Sequence, residues 1–197
     1  NAMLEQLGEV SAAVRAEDAP PTAPGEEALD VRVVRLLSER GALTATQAQQ
    51  VRDAAARFKV TQVDALWRLA LCDEDAVVSV LSELTRTPSR TAKRVLEQIP
   101  GPEALSLISA DVSRRARAVP LGLKGGAQLL VAMADPLDAE AVEVLKRAMG
   151  DKSLVTFRAG PKALAQCRAR LYGEALEPAP DQPQVSAVAP PRELASR

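Results

Sequence analysis

The sequence contains no histidine. That absence excludes Ser-His-Asp and Cys-His nucleophiles, imidazole general bases and histidine-ligated zinc. Cysteine is scarce too. Cys72 and Cys167 stand far apart without a CxxC pair, so each reads as a small buried hydrophobe in a reducing compartment rather than half of a disulfide. Aromatics make up 2% of the chain, namely Phe58, Trp67, Phe157 and Tyr172, too few for a platform that stacks single-stranded nucleic acid. No cationic surplus compensates: 25 Lys and Arg face 26 Asp and Glu, a net charge of −1, whereas neutralising phosphates needs an excess of positive charge. No GxxxxGK[ST] phosphate loop occurs. The best apolar run, 129–134, falls far short of the roughly 20 residues a membrane helix needs. No basic stretch followed by an apolar one marks a secretion signal. The expectation is a chain with no catalytic residue, metal or cofactor, binding no nucleic acid and entering no membrane.

What is present is an ordinary globular composition, 47% hydrophobic and 26% charged over 197 residues. Asn1-Ala2 before Met3 reads as the scar of a cleaved purification tag. Residues 3–14 carry Leu4, Leu7, Val10 and Val14 at helical spacing, one apolar stripe that either folds back or docks on a partner. A Pro-rich linker follows at 19–25, so residues 1–29 form a tethered lead-in.

Residues 30–100 read as helices throughout. Val31, Val34 and Leu37 mark the first, which stops at Gly41. Thr44 and Gln47 have capping-box spacing and open a second, with Ala48, Val51, Ala55 and Phe58 on one side. Val63, Leu66, Trp67 and Ala70 mark a third. Asp73-Glu74-Asp75 then supplies a cap and an acidic first turn for a fourth, carrying Val77, Val80, Leu81 and Leu84. Thr91 caps a last short helix before 99–102. Helix, turn at 41–43 and capped helix are echoed by helix, turn at 70–72 and capped helix, so the region reads as two helix hairpins side by side.

Residues 101–174 mix types. Short helices near 103–108 and 110–115 precede runs at 117–123 and 127–133, a β-hairpin across Lys124-Gly125-Gly126. Pro120 places the first run at a sheet edge. Asp135 as N-cap with Pro136 at N1 opens a helix bearing Val142, Leu145 and Met149, ended by Gly150. A third strand spans 153–158, and Pro161 begins a helix with Leu164, Cys167 and Leu171 that closes at Gly173. The fold class is α+β: a helical-hairpin subdomain, then a small β-β-α-β-α sandwich, with flexible termini. Residues 175–197, rich in Pro, Ala and Gln, read as a disordered tail or linker.

Three features invite a chemical reading. Gly122-Leu123-Lys124-Gly125-Gly126 joins two strands, whereas a phosphate cradle joins a strand to a helix N-terminus, so it reads as a turn. Asp135-Pro136 with Asp138 sits at a strand exit, where α/β proteins place ligands, but capping explains Asp135 and Pro136. Arg86, Arg90, Lys93 and Arg94 form one basic group, and Arg114, Arg115 and Arg117 another. Together they allow a modest anion site; a solvated helix surface is the favoured reading.

Residues 110–121, with Arg114-Arg115-Ala116-Arg117-Ala118-Val119-Pro120-Leu121, and then 129–138, Leu-Leu-Val-Ala-Met-Ala-Asp-Pro-Leu-Asp, resemble the N-terminal domain of type II secretion and type IV pilus assembly ATPases. The end at Leu171-Tyr172-Gly173 is similar as well, and 30–100 resembles the helix hairpins preceding that unit. The resemblance implies a non-catalytic docking and regulatory module. It would link a cytoplasmic assembly ATPase motor, in cis or in trans, to the cytoplasmic part of an inner-membrane secretion or pilus platform protein. The location implied is cytoplasmic, peripheral to the inner membrane through partners. Leu4, Leu7, Val10 and Val14 are the candidate docking stripe. Some members of the family bind cyclic di-GMP through two tandem stretches of the kind R-L-G-x-x-L-V-x-x-G-L-I. By that resemblance Arg32, Gly41 and Leu43 are the candidate contacts of a cyclic di-GMP sensor. Val34, Ala55, Thr61, Val63 and Ala70 replace the motif's other key residues. Side chains where glycines belong block close approach of a guanine to the backbone, so no cyclic di-GMP binding is expected.

Overall fold

A computed structural model describes residues 27–173. The stripe at Leu4, Leu7, Val10 and Val14, the Pro-rich linker and the tail lie outside the described residues.

The first helix, α1 (Leu29–Glu39), buries Val33, Val34 and Leu37 and hands over to Gly41, whose φ of +72° suits the position after a helix end. The capping box forms as its spacing predicts: Thr44 Oγ1 accepts from Gln47 N, and Gln47 Oε1 accepts from Thr44 N, opening α2 (Ala45–Phe58). Ala48, Val51 and Ala55 of α2 are buried, but Phe58 at its last position is 45% exposed. Its ring lies instead beneath the Arg57 guanidinium, 5.5 Å away. Thr61 caps α3 (Gln62–Leu69), and α4 (Glu74–Thr85) follows. Ala70, expected on the apolar face of α3, is its exposed left-handed cap. These four helices enclose one core in which Val33, Val34, Leu37, Leu43, Val51, Leu66, Val77 and Val80 are nearly or wholly removed from water.

After α5 (Ala92–Glu97), α6 (Pro102–Leu107) and α7 (Ala110–Arg115), the chain enters a three-stranded sheet of β1 (Ala118–Lys124), β2 (Gln128–Met133) and β3 (Ser153–Arg158). β1 pairs antiparallel with β2, and β2 parallel with β3, so β1 is an edge strand, the place where Pro120 leaves no ladder bond unmade. The register shifts between Pro120 and Gly122. The parallel pair is joined through α8 (Ala139–Met149), and α9 (Pro161–Tyr172) follows β3.

Strand alternation divides the sheet's side chains between two layers. Ala118, Leu129, Val131 and Met133 pack with Ala104 and Ile108 near α6 and with Ala141, Leu145 and Met149 of α8. Val119, Leu121 and Ala132 pack with Val95 of α5 and with Leu164 and Cys167 of α9. The α/β sandwich thus has α6, α7 and α8 on one face and α5 and α9 on the other.

One expectation is corrected at the exit of β2. Asp135-Pro136 does not start the helix. α8 begins at Ala139 with Asp138 as N-cap, its Oδ1 accepting from Ala141 N at 3.0 Å. Asp135 has a long-range partner instead, Arg158 at the end of β3. That ion pair competes with capping for the one carboxylate.

Candidate functional site

Among the described residues no group of three His, Cys, Asp or Glu side chains could hold a metal. Both cysteines are free, Cys167 buried and Cys72 half-buried. Burial pushes both thiols up; Asp73 adds to the shift at Cys72, and Arg170 partly offsets it at Cys167. Neither has the depressed pKa of a reactive thiol. No helix among the described residues is long and apolar enough to cross a membrane.

The helical half holds the three candidate nucleotide contacts. Arg32 is half-buried on α1, Gly41 is exposed at the turn, and Leu43 is 3% exposed with its side chain in the core. Val34 is fully committed to that core, and Val63 is packed against it. Ala70, the cap directly after α3, holds φ +48° and ψ +40°, whereas Gly41 stands one residue beyond Arg40, the cap of α1. The backbone therefore keeps a glycine-like conformation at that turn although the glycine is absent.

The joint between the two halves is polar and well bonded. The triplet 73–75 sits at the start of α4 as predicted, but Asp73 makes no side-chain cap bond there. Its neighbours serve other helices. The Glu74 carboxylate accepts from Lys162 N at 2.7 Å and from Ala163 N at 3.3 Å, closing the first turn of α9. Asp75 Oδ1 accepts from Ala92 N at 2.7 Å, in the first turn of α5. Burial raises the Glu74 pKa above the ordinary carboxylate value, with the two backbone donors opposing the shift. Gly160, the N-cap of α9, leaves the space that Glu74 fills: a Cβ built there lands inside the carboxylate. Below it Arg158, 5% exposed, donates from Nη2 to Asp135 Oδ1 at 2.8 Å and from Nη1 to Ala134 O at 3.1 Å. Its backbone pairs with the segment after α4 through Arg158 N to Pro88 O and Arg90 N to Arg158 O.

The two basic groups do not merge into one site. The Arg90 guanidinium stacks 4.2 Å over the Phe157 ring, and Lys93 and Arg94 line a shallow cleft together with Glu97. Arg114 and Arg117 line a different cleft of about 240 Å³, and the third arginine there is Arg168 of α9. Sequence reasoning missed Arg168. Its only local signal is a basic residue one position past the apolar Cys167.

Residues 96–178 match the MshEN domain family. This stretch of the chain is similar to an MshEN domain. The match agrees with the resemblance to the N-terminal domain of type II secretion and type IV pilus assembly ATPases. The MshEN match starts inside α5, and the likeness to solved structures reaches further. MshE, solved with cdg (cyclic di-GMP), is 28% identical over 72% of this chain and 99% of that one, with a TM-score of 0.53. The N-terminal domain of XpsE shares the fold at 22% identity, over 74% of this chain and 96% of that one, with a TM-score of 0.54. No curated protein matches the chain.

Proposed function

We propose that this chain is a non-catalytic docking and regulatory module of a type II secretion or type IV pilus-like machine. It acts in the cytoplasm and links an assembly ATPase motor to the cytoplasmic part of an inner-membrane platform protein. The observation that carries the reading is the MshEN match over 96–178, joined to a likeness with MshE that spans most of this chain. The histidine-free composition and the lack of a phosphate loop support a non-catalytic role. The stripe of Leu4, Leu7, Val10 and Val14 is the proposed docking element. Leu7→Asp should abolish capture of the platform protein's purified cytoplasmic part and leave the melting temperature unchanged. Capture by the variant at the wild-type level would sink the assignment.

A second reading, a cyclic di-GMP sensor, draws support from two observations. MshE was solved with that nucleotide, and the turn at Ala70 keeps a left-handed backbone. Against it, Val34 fills the core where the motif carries glycine. Calorimetric titration of the chain with cyclic di-GMP decides: saturable micromolar binding makes the module a second-messenger input, and no heat from the intact fold leaves docking alone.

A further inference from the structure

The two edges of the sheet are defended differently. A strand edge presents main-chain N–H and C=O groups that another strand can use, and folded chains blunt it with proline, a bulge or charge. β1 carries both Pro120 and a register shift between Pro120 and Gly122. β3, the other edge, has neither. Its stretch Ser153-Leu154-Val155-Thr156-Phe157 is regular in register, rich in β-branched and aromatic residues, and free of charge. Among the described residues, the side of β3 turned away from β2 is used at one place: Arg158 N donates to Pro88 O, and Arg90 N donates to Arg158 O.

The pairing with β2 fixes which groups face outward. Ser153 N donates to Ala127 O and Ala159 N to Met133 O, so the odd-numbered residues of β3 turn their main chain toward β2 and the even-numbered ones away from it. Arg158 is one of the latter and is taken. Leu154 and Thr156 are the others, and among the described residues nothing pairs with their outward groups. Val155 lies between them, half-buried and packed in neither apolar core of the sheet half. The flanking charges are engaged: Lys152 Nζ reaches Gly126 O at 2.8 Å and Glu103 at 3.1 Å, and Arg158 holds Asp135.

We propose that the β3 edge pairs antiparallel with β3 of a second copy of this chain, about a two-fold axis through Val155. The pattern of outward groups is self-complementary. Leu154 then stands opposite Thr156 of the second copy, and Thr156 opposite its Leu154, each couple exchanging both main-chain hydrogen bonds. The two Val155 side chains meet at the axis as a non-hydrogen-bonded pair. Moving the axis to Thr156 sets Leu154 against the occupied Arg158, and moving it to Leu154 requires Lys152, which precedes the strand. A two-fold also sets any charge near the axis against its own copy, so the absence of charge over 153–157 suits this occupant. The proposal does not depend on the docking reading.

The test is sedimentation of the full chain over a concentration series to about 1 mM, joined to hydrogen exchange. So short a contact belongs with small transient interfaces, and dimers are expected toward the upper end of the series. There the Leu154 and Thr156 amides should gain protection, while Val155, whose main chain faces β2, does not change. Thr156→Pro deletes an outward N–H alone, which an edge strand tolerates, and should weaken dimerisation about ten-fold or more. Val155→Glu and Val155→Lys should each stay monomeric alone and associate when mixed, which keeps the test decisive if the proline variant fails to fold. A wild type monomeric throughout, a dimer without protection at Leu154 and Thr156, undiminished dimerisation of folded Thr156→Pro, or no association on mixing would each overturn the proposal. Protection of both amides at every concentration would do so too, by showing that the chain covers its own edge.

Discussion

The helical half and the sheet half solve the problem of helix ends differently. In the helical half the caps are local or nearly so. Thr44 and Thr61 cap their own helices, and Asp30 of α1 accepts from Gln62 N at the start of α3 within the same core. In the sheet half α9 opens on Gly160, which has no side chain to offer, and its first-turn donors are taken by Glu74 of the other half. Asp75 does the same for Ala92 beside the local cap from Thr91. Each half owns a separate apolar core, yet the sheet half borrows polar groups from the helical half, and no described helix of the helical half is capped in return. Dependence of this kind is one-directional. It makes the order of unfolding a measurable property of the joint.

The largest effect tests whether the cores are as separate as they look. Leu37 is fully buried at the centre of the helical core. Leu37→Ala should cost about 2–5 kcal/mol by lost transfer energy and residual cavity. Native-state hydrogen exchange should show the helical amides opening first, with Lys162 and Ala163 losing protection alongside them while β2 stays protected. Simultaneous loss in β2 would show one cooperative unit and erase the distinction.

Next in size is the joint itself. Gly160→Ala drives a methyl group into the Glu74 carboxylate, an overpacking cost of about 1–3 kcal/mol. Glu74→Ala removes the obstacle, so the double variant should be clearly less destabilised than the sum of the two single variants in denaturant melts. Strict additivity would mean that Gly160 is needed for some reason other than Glu74.

Much of this architecture is legible in the sequence. The bounds of β3, α7 and α9, the capping box at Thr44 and the edge position of Pro120 follow from period, cap and breaker signals that act within one element. What escaped has a common cause. Glu74 and Lys162 lie 88 residues apart, and Arg158 and Asp135 lie 23 apart. An acidic residue near a helix start looks the same whether it caps its own helix or another. By sequence alone Asp135 therefore takes a cap that Asp138 makes, and Glu74 stays with α4. Phe58 fits the apolar stripe of α2 by period, but it comes at the helix's last position, where the core has run out. Likewise the arginine cleft was half visible. Arg114 and Arg117 are a local cluster, while Arg168 joins them only through the packing of α9.

The acidity of Glu74 gives a smaller but signed prediction. Its folded-state pKa is raised, mainly by burial, so the native state binds the proton more tightly than the unfolded chain does. The stability contribution is therefore fully present below the unfolded value and is lost as pH rises through the raised folded value. Melts of wild type and Glu74→Gln across that window, from the ordinary glutamate pKa upward, should differ in slope. The wild type loses stability as pH rises, and the glutamine variant lacks that component. Parallel curves would mean that the two α9 donors hold the carboxylate at its ordinary pKa.

The smallest effect has the opposite sign and returns to the two turns of the helical half. Gly41 at φ +72° and Ala70 at φ +48° are the left-handed residues of the turns after α1 and α3, but only the alanine carries the strain of a Cβ in that region. Ala70→Gly relieves that strain and loosens the unfolded chain, two terms that partly cancel. The net expectation is a gain of no more than about 1 kcal/mol. Unchanged chemical shifts around Leu66 and Leu71 should accompany it, because the backbone is already in the conformation glycine favours. Had the turn drifted from the shape of its counterpart, glycine would destabilise it and the shifts would move. A stabilising Ala70→Gly therefore indicates that the second hairpin kept the geometry of the first after losing its glycine, and a destabilising one that the two hairpins have diverged.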